Sequence, residues 1–203
     1  MAELLPFKEY ISEIKVLGSR FIAILEPIME EKEIDEYLAK FKEVYPKATH
    51  YCYAARMDAL ERMSDDGEPS RSAGMPLLTI LRQHGITRAL ILVIRYFGGT
   101  KLGLPRLTRT YRDSAEDVIS KASFARIIEG MEMPLEMSYA DYEYVKKLVA
   151  KTNLTIYNEQ FSEQVNILIK GEKEELTKFV DSLSYEIIRG VGKTIQLLKE
   201  EAK

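Results

Sequence analysis

Two stretches of this 203-residue chain hold the side chains best suited to chemistry: residues 94–111, IRYFGGTKLGLPRLTRTY, and residues 64–76, SDDGEPSRSAGMP. In the first, Gly98 and Gly99 lack Cβ atoms, which lets backbone N–H groups converge on a ligand. Lys101 follows, then Arg106, Arg109 and Arg112 in what reads as the opening turns of a helix. The positive end of a helix dipole disfavours cations by a few tenths of a kcal/mol each. Three arginines there make sense if a phosphate or carboxylate sits at the helix start, bound by N–H groups and guanidinium forks together. The competing arrangement pairs these arginines internally with Asp65, Asp66 and Glu68. Neither a Walker loop nor a Gly-x-Gly-x-x-Gly dinucleotide fingerprint occurs.

In the second stretch, Asp65, Asp66 and Glu68 are oxygen donors of the kind magnesium takes. Gly67 and Pro69 make a turn the better account, with Asp bonding to its own backbone, and no metal or other cofactor is expected. Ser72, before Ala73-Gly74 and a helix start, can give hydroxyl and N–H donors to an anion alongside Arg71. As a nucleophile Ser72 lacks a partner, since His50 enters a strand and His84 closes a helix. Cys52 sits in an apolar strand and reads as a small buried residue. Tyr51 and Tyr53 share a strand face and, like Tyr96, are candidates for stacking on bases, with core packing as the alternative.

Charge points the same way. The chain carries a net charge of −3, yet Arg71 through Arg112 holds eight basic residues, Arg95 among them, and no Asp or Glu. Positive potential concentrated in one segment steers anions. An apolar fraction of 46% with 30% charged residues is that of a soluble globular protein. No apolar run approaches the roughly 18–20 residues that span a bilayer, so no membrane association is expected. A single cysteine excludes an internal disulfide, and a cytoplasmic location is expected.

The elements that position these residues follow from periodicity. Ile11 to Leu25 reads as a hairpin around Gly18-Ser19. Ile34, Leu38, Phe41 and Val44 mark a helix ending before Pro46. His50 to Met57 alternates as a strand, residues 63–74 form a loop, and Pro76 suits the first turn of a helix that runs to Gly85. Ala89 to Tyr96 is a buried strand, and a helix runs from about Pro105 to Ala122 with Leu107, Tyr111, Ala115 and Val118 inward. Beyond residue 128 the glycine motifs stop. Strand, helix, two strands, helix and strand follow, the β-α-β-β-α-β order of a ferredoxin-like split βαβ domain. The expected fold is α+β in two domains, residues 1–126 and 127–203, with residues 123–132 as the hinge.

The runs YCYAAR, SDDGEPSRSAGMPLL and VIRYFGGTKLGLPRLTRTY strongly resemble the YigZ/IMPACT family, whose usual form reads approximately DDGEPSGTAGKP and VTRYFGGIKLGAGGLVRAY. The resemblance spans about residues 10–125, and the following domain matches the bacterial YigZ arrangement. It implies an N-terminal domain like the second domain of ribosomal protein S-five, a sheet with helices on one face, followed by a ferredoxin-like domain similar to one in the translocation elongation factor. Eukaryotic relatives act in translational control through protein contacts, a role that does not transfer to this architecture. Bacterial members have suspected nucleic-acid binding and no settled activity, and no ligand set of a metal-dependent proline dipeptidase is present. Two departures stand out: the family's Gly-Thr is Arg71-Ser72 here, and its Ala-Gly-Gly is Leu104-Pro105-Arg106. Each removes backbone freedom and adds a guanidinium.

Together these features predict a noncatalytic module that binds RNA or a ribosome-associated factor, with a link to translational regulation. Arg71, Ser72, Arg95, Gly98, Gly99, Lys101, Arg106, Arg109 and Arg112 would form its anion site, with Asp65, Asp66, Gly67, Glu68 and Tyr96 in the pocket loops. The alternatives are an enzyme acting on a small phosphorylated or carboxylated metabolite, with the acidic loop facing the basic one, and a purely protein-binding regulator. Oligomeric state is not encoded in any of these features.

Overall fold

The computed structural model describes residues 4–200 of the chain. They form β1 (Leu5–Pro6), β2 (Tyr10–Val16), β3 (Ser19–Pro27), α1 (Lys32–Val44), β4 (His50–Arg56), β5 (Glu61–Ser64), α2 (Gly74–Gln83), β6 (Ala89–Tyr96) and α3 (Leu104–Lys121). Then come β7 (Phe124–Met137), α4 (Tyr139–Val149), β8 (Thr155–Phe161), β9 (Val165–Glu172), α5 (Lys173–Asp181), β10 (Ile188–Arg189) and β11 (Lys193–Glu200). The chain divides into two compact units. One runs up to Arg126 and includes Glu200, and the other is Ile127–Lys199.

The first unit is built on an antiparallel sheet of order β2-β3-β6-β4-β5. β6 lies at its centre because ALILVIRY has no exposed position: seven of its eight residues are buried, so both faces must be covered. Side chains alternate along a strand, and the alternation sorts the core in two. Phe21, Ala23, Leu25, Cys52, Ala54, Ile91 and Val93 pack with residues of α2 and α3. Ile22, Ile24, Leu92 and Ile94 face the other way, against Phe41, Tyr37 and Leu38 of α1. The expectation of helices on one face is therefore corrected. The apolar stripe of α1 has to be buried, and the sheet's second face is what buries it.

Residues 63–74 are not loop throughout, since β5 pairs with β4 through Ser64 opposite Tyr53. Four residues with half-buried positions give too short an alternation to read from sequence. The hairpin turn between β2 and β3 has positive φ at Leu17 (48°) and Gly18 (77°), the pair of left-handed residues that matches strand twist.

In the second unit β9 lies between β7 and β8, and β10 and β11 both pair with β7. Strict alternation in β9 buries Val165, Ile167 and Ile169 against Tyr142, Val145 and Leu176 of the two helices. Residues 124–132, expected as a hinge, are strand: Gly130, Met131 and Glu132 pair with Glu172, Gly171 and Lys170. Backbone hydrogen bonding in a sheet, which local composition does not reveal, decides this segment.

Candidate functional site

The site lies in the first unit, where the sheet face under α2 and α3 runs out of apolar side chains. Along β6 the inward set Ile91 and Val93 continues to Arg95, and one pleat later to Phe97. Arg95 is in register with His50 on β4 and with Phe21 on β3. A row of Phe21, Arg95 and His50 thus closes the core and opens a cavity of about 430 Å³. His50, Glu68, Arg95, Phe97 and Lys101 line it, with Leu104 and Leu107 from α3.

Its floor is a buried polar network. The Arg95 side chain is 6% exposed and the Glu68 side chain 4%, and Arg95 Nη1 meets Glu68 Oε1 at 2.5 Å. The same Oε1 accepts the Tyr111 hydroxyl at 2.8 Å. The Tyr111 hydroxyl in turn lies 3.3 Å from the Cys52 thiol. The Arg95 guanidinium sits over the rings of Phe21, at 5.2 Å, and Phe97, at 5.4 Å. Burial pushes both the Tyr111 hydroxyl and the Cys52 thiol up from their ordinary values. Neither ionises under ordinary conditions, and Cys52 is an inert core residue. His50 Nδ1 lies 2.7 Å from the Asp66 carbonyl oxygen. A carbonyl only accepts, so Nδ1 carries a hydrogen, and Nε2 on the other side of the ring lies 3.8 Å from Glu68 Oε2.

The acidic loop is committed residue by residue. The Asp65 carboxylate accepts N–H bonds from Arg71 at 2.7 Å and from Ala73 and Gly74 at 2.9 Å each. It thereby occupies the anion position at the start of α2. Asp66 Oδ2 accepts from Tyr51 N at 2.6 Å. Gly67 has φ of 83° and stands beside His50, leaving about 3.5 Å between an added Cβ and Nδ1. Ser72 is buried and donates its hydroxyl to the Pro69 carbonyl at 2.6 Å. It is therefore positioned neither as a nucleophile nor as a hydroxyl donor to a ligand, because the turn 69–72 consumes its one proton. Arg71 is exposed at φ 61°, a backbone conformation that favours the glycine of the family pattern.

The basic residues divide. Lys101 lines the cavity. Gly99 is exposed at φ 87°, with open space where a Cβ would point. Gly98 has a different job from the one expected. A Cβ there would stand 1.9 Å from the Gly18 carbonyl carbon, so its bareness lets the 97–103 loop rest on the hairpin turn. Its N–H is spent on Ser19 Oγ at 3.1 Å. Arg106, Arg109 and Arg112 lie on the exposed side of α3, off the cavity. Arg109 and Arg112 border a separate depression of about 450 Å³ with Asp113 and Glu116, and Arg109 Nε lies 3.7 Å from Asp113. Internal pairing with the acidic loop is confined to Arg95. Arg71, Lys101, Arg106 and Arg112 form no ion pair among the described residues.

The start of α3 stands apart from that of α2. Gly103 is its N-cap at φ 75°, no side chain caps it, and its first turn holds no acid. The tyrosines proposed for stacking lie elsewhere. Tyr51 and Tyr53 pack toward α1, and Tyr96 donates to the Pro46 carbonyl while the Arg20 guanidinium covers its ring. Sequence reasoning passed over Phe97 and His50. The period-2 run Ile91, Val93, Arg95, Phe97 was the available signal for the first. The register that brings His50 beside Arg95 is a long-range property.

Comparisons with known proteins bear on the family and the fold. The Impact N-terminal domain family matches residues 17–119, which include β3 through most of α3. An IMPACT family member in the pol 5'region of Thermus thermophilus is 35% identical over 152 residues, covering 75% of this chain and 83% of its own. The Escherichia coli IMPACT family member YigZ is 26% identical over 196 residues, covering 94% and 93%. A crystal structure of a hypothetical protein shares the fold, with a TM-score of 0.62 at 22% identity over 93% of this chain and 97% of that one. With a family match over half the chain and a relative 35% identical along most of both lengths, the chain belongs to the IMPACT family.

Proposed function

We propose that this protein is a noncatalytic binding module that holds RNA, or the RNA-like anionic face of a ribosome-associated factor, at the α3 start and the 97–103 loop. The observation that carries this reading is the α3 N-terminus: an 18-residue helix with no side-chain cap and no acid in its first turn. Lys101 and Arg106 stand beside it without an ion pair. Free N–H groups and unspent cations together suit a phosphate. Arg112, and Arg109 in part, extend the positive surface along the helix. In this reading residues 1–126 form a domain like the second domain of ribosomal protein S-five. Residues 127–203 form a ferredoxin-like domain, supported by the β7-α4-β8-β9-α5-β11 succession and the strand order β11-β7-β9-β8. The protein works in the cytoplasm. No helix among the described residues is long and apolar enough to cross a membrane.

The test is fluorescence anisotropy with labelled single-stranded RNA over a salt series. Three phosphate contacts give log K against log salt a slope of about −2, taking about −0.7 per phosphate for single strands. Arg106→Glu with Arg109→Glu should weaken binding at least tenfold in a protein whose thermal melt is unchanged. Full binding by the folded double variant would refute the assignment.

A further inference from the structure

We propose that the 430 Å³ cavity binds a small organic carboxylate with an apolar body, its carboxylate held by the Arg95 guanidinium. The site goes beyond the RNA reading and shares only Lys101 and the α3 start with it. The volume lies within the range of about 300–1,000 Å³ typical of small-ligand sites. The polar atom left unsatisfied here is a donor. Arg95 lines the cavity, and its buried Nε has no hydrogen-bond partner among the described residues. A buried donor without a partner is destabilising, more so on a charged group. The Nε hydrogen points the same way as one hydrogen of Nη2, and the two make the side-on fork of a guanidinium. Nη2 reaches Ser19 Oγ only, at 3.5 Å. Glu68 is on the remaining nitrogen, Nη1. No carboxylate among the described residues therefore takes the fork, whose two parallel N–H groups match a planar carboxylate.

Charge favours the same class of ligand. Arg95 and Glu68 offset each other, and exposed Lys101 adds a positive charge that forms no ion pair among the described residues. Gly103 and Leu104, at the uncapped start of α3, also line the cavity and add the positive end of the helix. A monoanion is thus favoured over a cation. The walls call for an apolar body. Phe97, Leu102, Leu104 and Leu107 all line the cavity, and Phe97 is 45% exposed. Apolar walls lower the local dielectric, which strengthens a charge-assisted pair held between them. An inorganic anion leaves these walls uncovered, and an alcohol or amide offers the fork only a neutral acceptor.

The experiment is calorimetric titration of the full chain with benzoate, hexanoate and indole-3-acetate, each beside its amide. At least one carboxylate should bind about tenfold or more tightly than its amide, because hydrogen bonds to an ionised acceptor are about twice as strong as those to a neutral one. Arg95→Lys keeps a cation for Glu68 but has no fork, and should bring that pair within about twofold of each other. Lys101→Ala, at an exposed position, should weaken the carboxylate about threefold and leave the amide and the melting temperature unchanged. Should Arg95→Lys fail to fold, the carboxylate/amide ratio and Lys101→Ala decide. Equal affinity of every carboxylate and its amide overturns the proposal, as does an absence of binding by all of them. Either result beside salt-dependent RNA binding leaves the RNA reading standing. Carboxylate binding without RNA binding supports the pocket, while the RNA reading falls.

Discussion

The two helices that cover the inner face of the first sheet begin in opposite ways. At the start of α2 the chain provides its own anion: Asp65 reaches back from the preceding loop and takes the N–H groups of Arg71, Ala73 and Gly74. At the start of α3 a glycine is the N-cap, no side chain reaches over it, and arginine and lysine stand where acids are favoured. Both ends carry the partial positive charge of a helix start, and in each a proline withholds one N–H of the first turn. One is finished within the molecule, and the other is left chemically complementary to something negative. The lesson is that a helix start becomes a candidate site through what its neighbours decline to provide. The start of α2 also looked like a site in sequence, with Ser72-Ala73-Gly74 as donors, and is not available as one.

The comparison can be broken most directly at Asp65. Asp65→Ala removes three hydrogen bonds to a charged acceptor and should cost about 3 kcal/mol in urea unfolding. A loss below about 1 kcal/mol would mean that α2 does not depend on this internal anion. The opposite manipulation is to finish the α3 start. Arg106→Glu puts an acid in its first turn, and should weaken RNA binding about tenfold while raising stability by about 0.5 kcal/mol. Opposite signs in the two assays are the point, and a joint loss would show a structural role for Arg106 instead. Lys101→Ala tests one contact: the salt slope of RNA binding should fall by about 0.7 with melting unaffected. The smallest effect belongs to Arg71→Gly. Relief of the φ 61° backbone is offset by greater freedom in the unfolded chain, so stability should move by no more than about 0.5 kcal/mol. A larger loss would mean that the Arg71 side chain helps hold the N–H that Asp65 uses.

Much of the frame was readable from sequence. The hairpin around Gly18, the buried strand Ala89–Tyr96 and the helix after Gly103 all follow from local periodicity and turn chemistry. The site was readable only as a neighbourhood. Asp65, Asp66 and Glu68 form one acidic cluster in sequence but have three unrelated partners: the α2 start, the Tyr51 N–H, and the Arg95–Tyr111 pair. Glu68 meets Tyr111 across 43 residues and Arg95 across 27. No local rule distinguishes such partners from solvent. Arginines 106, 109 and 112 read as one charged face with Arg95, yet Arg95 points into the core because strand alternation governs it, while helix periodicity turns the others outward.

The absence of a side chain at Gly98 has a kinetic meaning. Its backbone lies directly on the turn at Gly18, so the segment carrying Phe97 rests against the sheet. A visitor to the cavity then finds its walls already in place, and arrival should be a single fast phase limited by encounter, with no slow opening step before it. Anything that lengthens or bulks up the distant-seeming hairpin tip would reach the cavity as surely as a change made inside it.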